Sequence, residues 1–413
     1  MRIDLVTPPF AGHLHPLLSI GSHLAGLDIR VRVLTTDKGQ KAVAAAGLEG
    51  IGLLPGHDET VEAIANPPHQ VKTNPLRLAR QLESNLNLMK GLQEELRSLW
   101  LADRPDLVLV DSVLPVAGWL ALAMGIPWWT SVASPCAIES RTGTPSYLGG
   151  WMPATGWLSA WRDRLGRRGI RIFKSLVAWR YRTQFDQLGL PSIYRADGTE
   201  AVYSPEKILA LGLREFEFDR DWPASLEFIG YPRGAPGFGA PLPPIQDDRP
   251  HILVSLGTHL LWAKDRALAL IVDLAERLPG VVFHFSRGLP GGTRQEMTGR
   301  VLVCDYIPYD QCLSNYRAVL FHGGSGLLYS CLFHGIPMMV WPHDYDQFDH
   351  AARIVHHGLG ARLKLSPQDA VQQTQFLLSD ESTQRRLHHF RGISRKHAPL
   401  ERVGELILKR AAR

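Results

Sequence analysis

The sequence predicts an α/β protein of two doubly wound, Rossmann-like domains, and three observations carry that expectation. Short apolar runs alternate with helical patterns, a proline-rich break interrupts the alternation, and the alternation restarts beyond it. At 413 residues the chain is too long for one ordinary core and suits two domains.

In the first half, Ile3–Thr7 reads as a strand, Pro16–Leu27 as a helix and Ile29–Thr35 as a second strand. Asp106–Val110, Val113–Met124 and Pro127–Ser131 repeat the strand–helix–strand pattern. Strands this apolar fit a parallel sheet covered on both faces. The break is GAPGFGAPLPPIQDDRP, residues 234–250, with five prolines and three glycines, a composition that suits a semi-rigid linker. Beyond it come strands at His251–Leu256, Val281–Phe285, Val301–Val303, Ala318–Phe321 and Met338–Trp341, with a helix ending at Leu278. The expected domains are therefore 1–233 and 251–398. Ligands of such sheets lie beyond the carboxyl ends of the strands, so the expected site is a cleft that the two domains face.

The stretch FHGGSGLLYSCLFHGIPMMVWPHDYDQFDHAARIVHHGLG, Phe321 to Gly360, is the most informative. A strand turns through His322-Gly323-Gly324-Ser325-Gly326 into an apolar helix. Glycines let backbone approach a ligand, and a helix start offers unpaired N–H groups and partial positive charge to an anion. His322 adds a donor at the same edge, which suits a diphosphate. Asp346-Gln347 sets a carboxylate beside an amide at the start of another helix, able to accept from and donate to vicinal hydroxyls.

A second constellation follows the first strand, in PPFAGHLHP. With Pro16 in the first turn of the next helix, His13 falls in the loop before it. A histidine there can take a proton from a hydroxyl near neutral pH. It needs a group that fixes its tautomer, and Asp111, ending another strand of the same sheet, is expected at the same edge. His15 is the alternative base.

The order HxGxG…GxPxxxxPxxxDQxxxA…GxG resembles the donor signature of the UDP-glycosyltransferase family, inverting enzymes of GT-B fold with bacterial natural-product and glycolipid members. The landmarks are HGGSG, Gly335-Ile336-Pro337, Pro342, Asp346-Gln347 and Gly358-Leu359-Gly360. GHLHP is similar to the family's GHxxP, which implies His13 as catalytic base, and LVLVDS to the strand presenting its partner aspartate, Asp111. SLGT resembles VSxGS, implying that Gly257 and Thr258 reach phosphate oxygens. Tyr306-Ile307-Pro308 resembles the aromatic-x-Pro segment where the base packs, although Tyr306 also suits a core position. The resemblance implies a diphosphate on His322, Gly324, Ser325 and Gly326, a sugar on Asp346 and Gln347, and a last helix, 399–413, crossing back onto the N-terminal domain. Two positions depart from the pattern: Leu327 replaces a Ser or Thr, and Ser330 replaces a carboxylate that holds ribose hydroxyls.

The remaining features bound the partners. The net charge of +5 is uneven: residues 162–182 carry +7, and everything else sums to −2. Nucleic acid is not an expected partner. The basic segment is interleaved with Ile, Phe, Leu and Trp, so it suits either a solvated helix face or peripheral contact with anionic lipid. Seven of eleven tryptophans fall between residues 119 and 179. They suit either core packing or an apolar acceptor pocket, with Phe10, Trp119 and Trp129 as candidates. His343, Asp344, Asp346, Asp349 and His350 cluster, but the donor charge can be met by His322 and backbone N–H groups, so no metal and no cofactor are expected. The four cysteines are scattered and read as reduced, buried thiols. No run is long and apolar enough to span a bilayer, and the first residues lack a signal-peptide core, so the expected location is cytoplasmic or peripheral at the inner membrane face.

The expected function is metal-independent, inverting transfer of a sugar from UDP-glucose or a dTDP-sugar to a hydroxyl of a hydrophobic small molecule. The alternatives are a lipid-linked sugar transferase, a nucleotide-sugar epimerase and a catalytically inactive partner protein, all of the same fold.

Overall fold

The computed structural model describes residues 1–68, 70, 75–190, 192–234, 239–245 and 248–412, with backbone alone at 75–79. Within the expected linker, residues 235–238 and 246–247 lie outside that set. The chain forms two compact units: Met1–Ile64, Thr73–Gly234 and Ala398–Arg413 in the first, Ala65–Lys72 and Ala235–His397 in the second.

The first unit contains strands β1 (Arg2–Val6), β2 (Arg30–Thr35), β3 (Glu49–Gly52), β4 (Leu107–Asp111), β5 (Trp128–Val132), β6 (Ile208–Leu211) and β7 (Leu226–Gly230). All pair in parallel, in the order β3-β2-β1-β4-β5-β6-β7. The central strands are apolar on both faces because helices cover both sides. One exception is Asp4, fully buried in β1. It accepts from Arg32 Nε and Nη2 at 2.8 and 2.7 Å and from Trp100 Nε1 at 2.9 Å, which ties β1, β2 and the helix Pro75–Ala102 together. The final helix, Pro399–Ala411, belongs to this unit: Val403 and Ile407 are buried, Arg402 Nε donates to Glu227 Oε1 at 2.6 Å, and Arg410 Nε donates to Glu206 Oε1 at 2.7 Å.

The second unit contains β8 (His251–Ser255), β9 (Val282–Ser286), β10 (Gln295–Thr298), β11 (Val301–Cys304), β12 (Ala318–Phe321), β13 (Met338–Val340) and β14 (Gly360–Arg362), in the order β10-β11-β9-β8-β12-β13-β14. Only β10 runs antiparallel, as an edge strand. Both sheets reverse the direction of strand order at a parallel central pair: between β1 and β4 in the first unit and between β8 and β12 in the second. Val6 lies opposite Val110, and Ser255 opposite Phe321. A crevice opens at such a reversal because the connections leave toward opposite faces.

One expectation about local structure is corrected. The first helix runs Ala11–Ala25, so Pro16 lies inside it and His13 sits in its first turn rather than in a loop. Phe10 is the N-cap, its carbonyl accepting from His13 N at 2.9 Å and Leu14 N at 2.8 Å. Pro16 withholds the N–H that would reach the Gly12 carbonyl. Gly12 is exposed, so water can satisfy that carbonyl and the interior proline is tolerated.

Candidate functional site

In the first unit, β1 delivers the helix bearing His13, and β4 ends on Asp111. Because the strands are neighbours, the two side chains meet: Nδ1 of His13 lies 3.0 Å from both Oδ1 and Oδ2 of Asp111. Asp111 is 1% exposed, and its Oδ1 also accepts from Val113 N at 3.0 Å, so the carboxylate is held in place. His13 retains 29% side-chain exposure. With Nδ1–H directed to the carboxylate, Nε2 is the basic nitrogen of that tautomer. His15, two residues on, is rotated by about 200° around the helix and points away from Asp111's side.

In the second unit, the loop after β8 and the loop after β12 enclose His322. Gly257 adopts the left-handed φ of 71°, and a Cβ there would stand 2.9 Å from Cε1 of His322. A Cβ on Gly324 would stand 2.5 Å from Nε2. Both glycines are thus required by the imidazole as well as by any ligand. Burial, reinforced by the neighbouring His343, pushes His322 down to about 3 against a hydrogen bond to the Ser255 backbone, so the ring is neutral and carries one N–H. Gly324 caps the helix Ser325–His334 with no side-chain hydrogen bond, which leaves the first-turn N–H groups of Ser325 and Gly326 at the same edge.

Second-row contacts fix these loops. His350 Nδ1 donates to the Gly323 carbonyl at 2.7 Å, and His343 Nδ1 donates to the Trp341 carbonyl at 2.7 Å. Among the described residues no group of three His, Cys, Asp or Glu is placed to hold a metal ion. The loop Gly257-Thr258-His259-Leu260 ends with Leu260 at φ 60°, its N–H donating to Asn66 Oδ1 at 3.0 Å; Gln70 Nε2 donates to the His343 carbonyl at 2.5 Å. Asn66 and Gln70 come from Ala65–Lys72, a segment that sequence order assigns to the first domain. Lys264, 7% exposed, donates to the Arg287 carbonyl beside Gly257 and Gly288, adding a positive charge that sequence reading missed. Its signal was a lone lysine on the apolar face of LWAKDRALALIV.

A protein-family model described as erythromycin biosynthesis protein CIII-like, C-terminal domain, matches residues 272–388. The 4'-demethylrebeccamycin synthase of Lentzea aerocolonigenes is 25% identical over 386 residues, covering 88% of this chain and 87% of that protein. The solved glycotransferase of kitacinnamycin superposes with a TM-score of 0.76 at 24% identity, over 99% of this chain and 98% of its own. Spinosyn rhamnosyltransferase SpnG, solved with thymidine diphosphate, superposes with a TM-score of 0.66 at 19% identity, over 98% of this chain and 100% of its own. This chain is a GT-B glycosyltransferase.

Several expected contacts of the glycosyltransferase take a different form. Gln347 is 7% exposed, and its Oε1 accepts from the backbone N–H of His343 at 2.8 Å and Asp344 at 3.1 Å. Its acceptor is therefore committed to the loop, and only its NH₂ remains to donate. Asp346, the helix N-cap residue, makes no capping bond and is half-buried. Tyr306 and Ile307 are 7% and 1% exposed after β11, and burial raises the Tyr306 phenol to about 12. Ser330 donates to Asp310 Oδ1 at 3.2 Å, so a carboxylate from another segment stands beside the position where the sequence lacks one.

The two tryptophans among the acceptor candidates lie in the interior. Trp119 is 5% exposed, packs in the core with Trp100, Trp128 and Leu120, and donates from Nε1 to the Ala201 carbonyl at 3.2 Å. Trp129 is 3% exposed on β5. Both are interior residues, because a parallel strand and its covering helix bury their largest rings. Phe10 is half-buried beside His13. The four cysteines are buried and form no disulfide.

Proposed function

We propose that this glycosyltransferase moves a sugar, with inversion and without a metal, from a nucleoside diphosphate sugar to a hydroxyl of a hydrophobic small molecule. The observation that carries the reading is the 3.0 Å contact between His13 Nδ1 and Asp111. Asp111 holds the tautomer in which Nε2 is the base and stabilises the imidazolium that forms. The acceptor O–H gives its proton to Nε2, the oxygen bonds to the anomeric carbon, and the bond from that carbon to the diphosphate oxygen breaks. One displacement inverts the centre. The leaving diphosphate gains negative charge, which His322 N–H, the Ser325 and Gly326 N–H groups, Thr258 and Gly257 are assigned to meet. Asp346 and the NH₂ of Gln347 are assigned to sugar hydroxyls. Tyr306 and Ile307 are assigned to the base and Asp310 to the ribose, the last because Ser330 draws its carboxylate to that position.

The donor we favour is a dTDP-sugar, since the related spinosyn rhamnosyltransferase was solved with thymidine diphosphate; UDP-glucose is the alternative. The related 4'-demethylrebeccamycin synthase supports a natural-product acceptor. Thermal-shift screening of the purified chain against UDP- and dTDP-sugars tests the donor, because a ligand that binds only the native state raises Tm by mass action. The anomeric configuration of the product tests inversion. Retention of configuration, or loss of turnover in EDTA with recovery in Mg²⁺ or Mn²⁺, would overturn the mechanism.

A further inference from the structure

The helix Trp157–Arg180 carries a surface outside the residues assigned to sugar transfer. Trp157, Trp161, Leu165, Ile172, Leu176 and Trp179 are each more than half exposed. At 3.6 residues per turn they share one arc of about 100°. Water-exposed faces of monomeric proteins rarely hold so many large apolar side chains together.

The opposite side of this helix is firmly anchored. Asp163 accepts from Thr144 Oγ1 at 2.6 Å, Lys174 pairs with Glu139 at 3.1 Å and with Glu200, Arg171 pairs with Glu139 at 3.4 Å, and Gly166 lies against Trp151. The apolar arc is therefore a fixed outward face and not a loose segment awaiting its own core.

Charge identifies what covers it. Arg164, Arg168 and Arg180 are exposed on and beside the arc, and the helix's only acid, Asp163, is buried and paired with Arg162 at 2.6 Å. Arg164 lies over Trp161 at 5.8 Å, and Arg182, just beyond the helix, over Trp179 at 5.7 Å. A second copy docking through this arc would bring arginines together with no acid of the helix to meet them. A surface with apolar depth and negative headgroups satisfies both halves of the pattern.

We infer that Trp157–Arg180 is a monotopic membrane-binding helix that lies in the plane of an anionic bilayer surface. Tryptophan rings and the leucine and isoleucine side chains enter the acyl boundary, and the arginines remain among the phosphates. No helix among the described residues is long and apolar enough to cross a membrane, so attachment is peripheral and reversible by salt. The inference does not depend on the identity of the donor or the acceptor.

Vesicle co-sedimentation with the full chain tests it. Phosphatidylcholine vesicles containing phosphatidylglycerol should bind the protein at low salt, with a blue shift of tryptophan emission, and phosphatidylcholine alone should bind it weakly. Arg164→Glu/Arg168→Glu/Arg180→Glu should lower partitioning about a hundred-fold. Trp161→Ala/Trp179→Ala should lower it at low and high salt alike. These positions are exposed, so the variants should melt with the wild type; if one does not, the wild-type comparison of the two vesicle types still decides. Absence of binding to the anionic vesicles overturns the inference, as does equal binding of the charge-reversed protein. A dimer that Trp161→Glu dissociates would assign the face to a second copy instead.

Discussion

Both carboxylate oxygens of Asp111 stand 3.0 Å from Nδ1 of His13, across the two strands at which the first sheet reverses its order. The pairing is made by neighbouring strand ends, so its geometry is inherited from the sheet. His13→Ala should reduce kcat by about 10²–10⁴-fold while leaving donor binding nearly unchanged. His15→Ala should behave like wild type. The reverse pattern in steady-state kinetics would move the base two residues along.

Asp111→Asn should keep the fold and still lose rate, since an amide can hold the wrong histidine tautomer. Asp111→Ala should additionally destabilise by about 1–3 kcal/mol, because Val113 N–H loses its buried acceptor. Denaturant melts and pH–rate profiles separate the two effects. A pH profile unchanged in Asp111→Asn would count against the dyad.

Gln347 and Asp346 should part company. Gln347→Ala removes the acceptor of two loop N–H groups and should cost about 1–3 kcal/mol, with Gln347→Glu recovering most of the stability. Asp346→Ala should weaken the intact donor but not the free nucleoside diphosphate. Calorimetry with both ligands reads the difference, and equal losses would remove Asp346 from sugar recognition.

Gly324→Ala should destabilise by about 1–3 kcal/mol, since the new methyl meets the His322 ring. Adding His322→Ala should restore stability without restoring turnover. If the double variant is as unstable as the single one, the ring is not what the glycine accommodates.

Acid should weaken the second unit. Burial pushes His322 to about 3 and His284 to about 4, against an unfolded value near 6.5. Below pH 6.5 the unfolded chain binds these protons first, so stability declines as pH falls from 6.5 through the folded values; above 6.5 neither ring contributes to the slope. Tm measured from pH 7.5 to 4.5 should fall less steeply in His284→Asn and His322→Asn. Parallel slopes would assign the acid sensitivity to other groups.

Most strands buried on both faces were legible to within a residue: Ala318–Phe321 is β12 as expected, and His251–Ser255 differs from its expectation by one residue, whereas the fully buried β6, Ile208–Leu211, went unread. The polar edge strand Gln295–Thr298 offered no apolar pattern to read. The first helix was started five residues late because proline prefers a helix's first turn, and an exposed Gly12 carbonyl overrode that preference. At the sites, histidines beside glycines gave His13 and His322, and a carboxylate at a strand end gave Asp111. What escaped was set by tertiary proximity: Asn66 reaching Leu260, Asp310 reaching Ser330, and the commitment of Gln347 to its own loop. No local spacing encodes such meetings.

The helix Pro399–Ala411 carries a consequence for biogenesis. Val403 and Ile407 complete the first unit's packing, and Gly404 lies against Leu27 and His23, yet this helix is translated only after the whole of the second unit. The nascent first unit must therefore wait on the ribosome with part of its apolar surface uncovered while the second is synthesised and folds. That order reverses the usual course, in which the earlier domain finishes first, and makes the nascent chain a natural client for chaperones until its closing helix emerges.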